Sequence, residues 1–291
     1  AADTTNARYT TLAPIDHEGA FQPRNGVRFS IEDGPEVELP SDAYVDSDGN
    51  PYDGEISFEA THYDVAYKSG QYMTEESGSE RAAAPGDYSA VDTEGEDQLL
   101  ESFGMFQLDL FGEDGEELEL DGETSAQFTM PLSDSSTTIG ETIPAWHYDT
   151  EAMTWVEEGE GEVVELADGT VAWQFEAPHF STWNADQPIR TWGCVTCPDG
   201  IRDFDGRPLK GVQTQVDGVD FNSSTADSSD DDGGFCIVTK NDSTVDFSMT
   251  YAIGGTAYQE TERLILPPGQ ATCDEISACV RPESCTLDIP L

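Results

Sequence analysis

Phe106-Gln107-Leu108-Asp109-Leu110 alternates apolar and polar residues at every step, as do Ala126-Gln127-Phe128-Thr129-Met130 and Val245-Asp246-Phe247-Ser248-Met249. A period of two sends one set of side chains into a core and the other into water, the pattern of a half-buried strand. Val27-Arg28-Phe29-Ser30-Ile31 and Val212-Gln213-Thr214-Gln215-Val216 repeat it. Turn signals separate such runs: Asp48-Gly49-Asn50-Pro51, Asp114-Gly115, Asp121-Gly122, Asp168-Gly169 and Asp205-Gly206. No stretch keeps a 3.6-residue apolar period beyond a turn or two. The pattern predicts an all-β chain of tandem antiparallel β-sandwiches.

The charge bounds where such a chain works. Its 291 residues hold 60 Asp and Glu against 12 Lys and Arg, a formal net charge of −48. Nucleic acid and anionic membrane surfaces would set like charge against like, so neither is an expected partner. Concentrated salt relieves the self-repulsion, because the Debye length shrinks to about 3 Å near 1 M. The basic residues include few lysines (Lys68, Lys210, Lys240), which fits a saline or calcium-rich exterior. Aromatic residues at 10% and apolar residues at 36% can still build cores, which argues against disorder. No apolar run approaches the ~20 residues of a membrane span, so membrane insertion is not expected. The chain opens Ala1-Ala2-Asp3, without an initiator Met or basic leader, as a mature form after signal removal would.

Six cysteines, Cys194, Cys197, Cys236, Cys273, Cys279 and Cys285, fall in the last third. A zinc ribbon would need a second Cys-x-x-Cys or nearby histidines, and His17, His62, His147 and His179 all precede them. An even count in one segment instead predicts disulfides, with the pairing left open, and an oxidising compartment. Asp186-Gln187-Pro188 marks the expected domain boundary. It separates a β-sandwich region over 26–187, with a weaker break near 135, from a disulfide-stapled sandwich over 188–291. Residues 1–25 read as an N-terminal arm, and Glu75 to Asp97 as a long surface loop.

Three segments occur in order: Val45–Ile56; Ile143-Pro144-Ala145-Trp146-His147-Tyr148-Asp149 with Thr154–Gly159; and His179-Phe180-Ser181-Thr182-Trp183-Asn184-Ala185-Asp186. Together they resemble secreted bacterial surface proteins that carry a ZU5/UPA-like β-sandwich region. Asp205-Gly206-Arg207-Pro208-Leu209-Lys210-Gly211-Val212, with Thr225–Asp232, Gly234 and Phe235, resembles a carboxypeptidase regulatory-like (transthyretin-like) sandwich. The first resemblance implies an adhesive or matrix role, the second a non-catalytic accessory module. Some ZU5/UPA proteins cleave themselves within a His-Phe-Ser tripeptide. That resemblance implies Ser181 as nucleophile on the Phe180 carbonyl, with His179 as its base. The alternative is a strand in which Phe180 packs inward.

Asp46, Asp48, Asn50 and Asp53 could offer oxygens to Ca²⁺, as could Asp227 to Asp232, although Asp and Asn suit turns in any case. Asn222-Ser223-Ser224 and Asn241-Asp242-Ser243 match the glycosylation sequon. Trp146, Trp155, Trp173 and Trp183 suit either a sugar platform or a core. No nucleophile elbow, HExxH or phosphate loop is present, and no enzyme is expected. Tyr9, Leu12 and Phe21 at one end, and Leu287 and Ile289 at the other, could join a neighbouring subunit by strand addition. The sequence therefore predicts a non-enzymatic extracellular structural protein, a subunit of a surface filament or layer, with Ca²⁺ as its one candidate ion. A monomeric module binding glycan or a surface protein is the alternative, and a self-cleaving protein a third.

Overall fold

The computed structural model describes residues 14–32, 34–63, 65, 84–133, 137–254 and 256–289; Tyr9 and Leu12 lie outside them. Among these residues the alternating runs do form strands, and helix is confined to two short 3-10 turns, Pro23–Asn25 and Cys273–Ala278. The first region opens with β1 (His17–Phe21), β2 (Val27–Ser30), β3 (Glu36–Leu39), β4 (Tyr44–Val45) and β5 (Ile56–Tyr63). It continues through β6 (Ser89–Val91), β7 (Asp97–Phe111), β8 (Glu119–Leu120) and β9 (Ala126–Pro131). It closes with β10 (Thr142–Asp149), β11 (Thr154–Glu165), β12 (Val171–Ala177) and β13 (Thr182–Pro188). These join in one large sheet, ordered β1-β5-β7-β13-β10-β11-β12-β9-β3-β2, with β6 bridging β7 and β11 and β4 paired with β8 beside it. The pairing is antiparallel except between β6 and β11.

Side-chain alternation explains why this sheet closes on itself. Ile56, Phe58 and Ala60 of β5 and Ala126, Phe128 and Met130 of β9 all point to one side and are buried. The sheet curls until its two ends meet: Phe58 stacks on Phe29 of β2, with ring centroids 4.4 Å apart. The first core fills the space between, from Phe21 to Ala185. The break expected near 135 falls inside this one sheet, because β12 pairs with β9. The arm expected over 1–25 joins the same sheet from His17, where β1 pairs with β5. Within the expected loop of 75–97, β6 is a strand.

The second region holds β14 (Trp192–Thr196), β15 (Arg202–Asp203), β16 (Gln213–Gly218) and β17 (Ser224–Ser228). After these come β18 (Cys236–Lys240), β19 (Ser243–Ile253), β20 (Thr256–Leu266) and β21 (Thr286–Leu287). A four-stranded sheet, β17-β16-β19-β20, is flanked by the pairs β14-β18 and β15-β21. Disulfides Cys194–Cys279, Cys197–Cys285 and Cys236–Cys273 staple the tail back onto β14 and β18. The six cysteines are thus consumed in pairs, as their even count predicts.

One Asp-led loop recurs four times among the described residues. In Asp46–Asn50, Asp92–Glu96, Asp203–Arg207 and Asp230–Gly234, the first and fifth residues bond through their backbones and the fourth is a glycine. Those glycines, Gly49, Gly95, Gly206 and Gly233, have φ between +78° and +83°. This is a type I turn completed by a left-handed residue, where any other L-residue is strained. The leading Asp carboxylate accepts the N–H of the fifth residue each time. Some of the aspartates therefore serve to close turns.

The two regions share a core. Leu99, Leu100 and Met105 of β7 and Trp146 and Tyr148 of β10 pack in one cluster with Val216, Phe235, Ile237, Phe247 and Leu287. Backbone bonds cross the junction: Ser102 N–H to Asn222 O at 2.7 Å, Tyr88 N–H to Ser224 O at 2.9 Å, and Ile189 N–H to Leu99 O at 2.7 Å. Lys240 Nζ adds an ion pair with Glu101 at 2.8 Å. The central strands of the large sheet are consequently covered on both faces. No helix among the described residues is long and apolar enough to cross a membrane.

Candidate functional site

Strand pairing brings two histidines and a glutamate to one place. His147 lies on β10 opposite Val156 of β11 and Trp183 of β13, so it sits between those strands. Glu158 follows two residues beyond Val156 on β11, and His179 lies in the link between β12 and β13. That link is pinned twice: Trp183 Nε1 donates to His179 O at 3.2 Å, and Phe180 N–H donates to Glu119 Oε2 at 3.0 Å. His179 Nε2 then stands 2.9 Å from Glu158 Oε2, and His147 Nε2 stands 3.4 Å from the same oxygen. The two imidazoles meet edge to face at 4.9 Å, and Trp183 packs against both. The other nitrogen of His179, Nδ1, lies 3.3 Å from Phe180 O. The side chains are 19%, 30% and 45% exposed for His147, His179 and Glu158, so the cluster opens to solvent. Burial holds the His147 imidazole below its ordinary value, helped by the neighbouring His179 and opposed by Glu158. Burial also raises the Glu119 carboxyl, against the hydrogen bond from Phe180.

The tripeptide His179-Phe180-Ser181 is built into this place, but its groups face other partners. Ser181 Oγ donates to Tyr148 O at 3.5 Å, while His179 Nε2 is turned to Glu158. Phe180 is buried and lies over Tyr44. Of the five tryptophans, Trp146, Trp155, Trp173 and Trp183 are each at most 1% exposed, and the indole N–H of each of these four donates to a backbone carbonyl. They are core residues.

Of the calcium candidates, Asp46 is occupied in its own turn, taking N–H bonds from Asp48 and Asn50 and the Asn50 amide as well. The Asn50 N–H holds the Asp46 carboxyl below its usual range. Asp53 stands outside that turn, and Asp48 contributes its backbone N–H. In the second acidic cluster Asp227 accepts from Ser228 and Cys236, Asp230 closes its loop, and Asp231 pairs with Lys210. Asn222 donates its amide to Ser102 O and Ser133 Oγ, and Asn241 donates to Gly269 O. Both sequon nitrogens thus serve contacts within the chain. Phe21 is buried in the first core, and Leu287 and Ile289 in the shared one.

A family model described as FAM171A1/A2/B, N-terminal, matches residues 86–188. The match runs from just before β6 to the end of β13, about a third of the chain, and contains His147, Glu158 and His179. It corrects the expected resemblance to secreted bacterial surface proteins with a ZU5/UPA-like region and a carboxypeptidase regulatory-like module. Ile143–Asp149 and His179–Asp186, which carried that resemblance, lie inside the FAM171A1/A2/B-like segment. Their tryptophans and alternating residues fill a core, which any β-sandwich asks of its strands. The self-cleavage reading rested on the same resemblance. No solved structure matches the chain.

In the sequence His147 and His179 lie in separate motifs, and nothing local joins either to Glu158. A second missed group lies at the junction of the two regions. Ser102 Oγ donates to Asn184 Oδ1 at 2.6 Å, and Asn184 Nδ2 donates to Asp186 Oδ2 at 2.6 Å. All three residues are fully buried, and burial raises the Asp186 carboxyl well above the usual range. Its Oδ1 has no hydrogen-bond partner.

Proposed function

We propose that the chain is a non-enzymatic structural module of an exported, cell-surface assembly. The observation that carries this reading is the shared core: two β regions are packed into one stiff body, and three disulfides clamp the tail to it. Disulfides of this kind persist in extracellular or luminal space. A net charge of −48 keeps such a body apart from its neighbours until salt or divalent cations screen it. Among the described residues β1, β2 and β20 each pair with one strand only, and their outer edges would serve self-association.

The test is electron microscopy and sedimentation of the full chain in high salt, with and without Ca²⁺, against a variant lacking residues 1–13. Deletion must stop there, because His17–Phe21 is part of the chain's own sheet. Regular filaments or layers support the proposal, and dispersed monomers in every condition overturn it. A second reading, a binding module, is favoured by a cleft of about 510 Å³ at the junction, lined by Gln98, Trp192, Thr225 and Asp227 among others. A monomer that retains a glycan or protein ligand in screens would decide for it.

A further inference from the structure

We infer that Nε2 of His147, Nε2 of His179 and a carboxylate oxygen of Glu158 form a binding site for Zn²⁺, with a fourth position open to solvent. This goes beyond the structural reading and does not depend on it. Two imidazoles and one carboxylate are a donor set suited to zinc, and three protein ligands with one open position form a recurring zinc arrangement. The three ligand atoms lie within 4.8 Å of one another, two of their separations being 2.9 and 3.4 Å. A tetrahedral ion with bonds of about 2.0–2.1 Å sets its ligands about 3.4 Å apart. Closing the remaining gap asks for rotation of partly exposed side chains, with the strands left in place.

The surroundings favour an ion over an ordinary ion pair. A carbonyl can only accept, so the contact between His179 Nδ1 and Phe180 O puts a proton on Nδ1 and leaves Nε2 as the metal-facing nitrogen. Such a backbone contact on the far nitrogen is the usual support of a ligating histidine. Two further pins hold the His179 link: the Trp183 indole on the His179 carbonyl and Glu119 on the Phe180 N–H. The ligands arise from adjoining strands and a pinned link, so their backbone positions are set by the fold before any ion arrives. The acidic surface also concentrates divalent cations around the molecule. Ca²⁺ and Mg²⁺ prefer oxygen donors in larger number, so the imidazoles select against them.

The experiment is calorimetric titration of the metal-free full chain with ZnCl₂, in high salt and excess CaCl₂ to saturate weak carboxylate sites. Co²⁺ is titrated in parallel for its visible absorption, and Trp183, beside both rings, reports Cu²⁺ by fluorescence quenching. The expected result is one equivalent of zinc, with affinity at least about 100-fold weaker in His147→Ala and in His179→Ala, since even outer-shell changes cost about 10–100-fold. Glu158 is the most exposed ligand, and Glu158→Gln, which keeps its shape, weakens binding while the thermal transition of the metal-free protein stays in place. Zinc binding that is unchanged in Glu158→Gln and in whichever histidine variant stays folded overturns the site. So does a wild-type chain that takes up no zinc above the weak sites, leaving the cluster an ion pair.

Discussion

Asp186 puts a carboxyl where the fold can least tolerate charge. It is fully buried, with Oδ2 bonded to Asn184 and Oδ1 left alone. Burial raises its native pKa well above the ordinary value, and the charge of nearby Glu101 adds to this. A carboxyl neutral in the native state and ionised in the unfolded one favours folding most below the unfolded value, about 3.9. That contribution disappears as pH rises through the raised native value. Asp186→Asn is therefore expected to flatten the loss of stability on the alkaline side, read as melting temperature against pH. Parallel curves for the two proteins would refute the assignment. Glycine makes a second residue-scale case. A Cβ at Gly49 (φ +78°) would meet open space, whereas at Gly233 (φ +81°) it would stand 2.4 Å from Ile201 O. Gly49→Ala should cost about 1 kcal/mol from backbone conformation alone. Gly233→Ala should cost clearly more in chemical denaturation, and equal costs would contradict the loop geometry. The turn at Gly49 was legible, because Asp48-Gly49-Asn50-Pro51 has few other uses. Gly233 instead follows the run Asp227 to Asp232, whose carboxylates read equally as oxygens for Ca²⁺. The Asp186 network was not legible: it joins Ser102 to Asn184 across strands, and nothing local to either residue announces the partner.

At the scale of the element, β7 explains both what the sequence disclosed and what it hid. Phe106, Leu108 and Leu110 face the first core and show clean alternation, since Gln107 and Asp109 are only partly buried. Further back on the same strand, Leu99, Leu100 and Met105 face the second core, so the middle of β7 is buried on both sides and the period of two dissolves. Residues 182–186 of β13 are buried without interruption for the same reason. A boundary at Asp186–Pro188 is visible in local composition, yet the packing across it depends on residues more than a hundred positions away. The shared core makes a prediction. Leu100→Ala, at a fully buried position, should cost about 2–5 kcal/mol. It should lower one common unfolding transition seen by both near-UV and far-UV dichroism, and two separated transitions would show that the regions fold independently. Cys194–Cys279 spans 85 residues. Because Cys197–Cys285 still closes nearly the same loop, removing Cys194–Cys279 with a paired alanine change should cost only about 2–3 kcal/mol by the chain-entropy estimate, for an added loop of about ten residues. The measurement is the denaturant midpoint under oxidising conditions, and an unchanged midpoint would mean that the shared core and the other disulfides already hold the tail.

For the molecule as a whole, carboxylates divide into two sets with opposite pH behaviour. Asp46, Asp92 and Asp168 accept backbone N–H bonds that hold their carboxyls below the usual range. Their contribution is present above the ordinary value near 3.8 and is lost as pH falls through the lowered native values. Asp109 and Asp186 are raised by burial, and their contribution is lost as pH rises. Mutual repulsion within a chain of net charge −48 acts in the same direction as this second set, because every ionisation adds to it. Stability at low salt should therefore peak on the mildly acidic side, just above the ordinary carboxylate value. Salt separates the two causes of the alkaline decline. Surface repulsion is screened as the Debye length falls from about 10 Å at 0.1 M to about 3 Å at 1 M, whereas the burial of Asp186 is not. Raising NaCl over that range should lift the melting temperature at pH 7 by more than at pH 4.5, and move the optimum toward neutrality without removing the decline due to Asp186. An equal gain at both pH values would assign the effect of salt to general strengthening of apolar burial rather than to relief of charge.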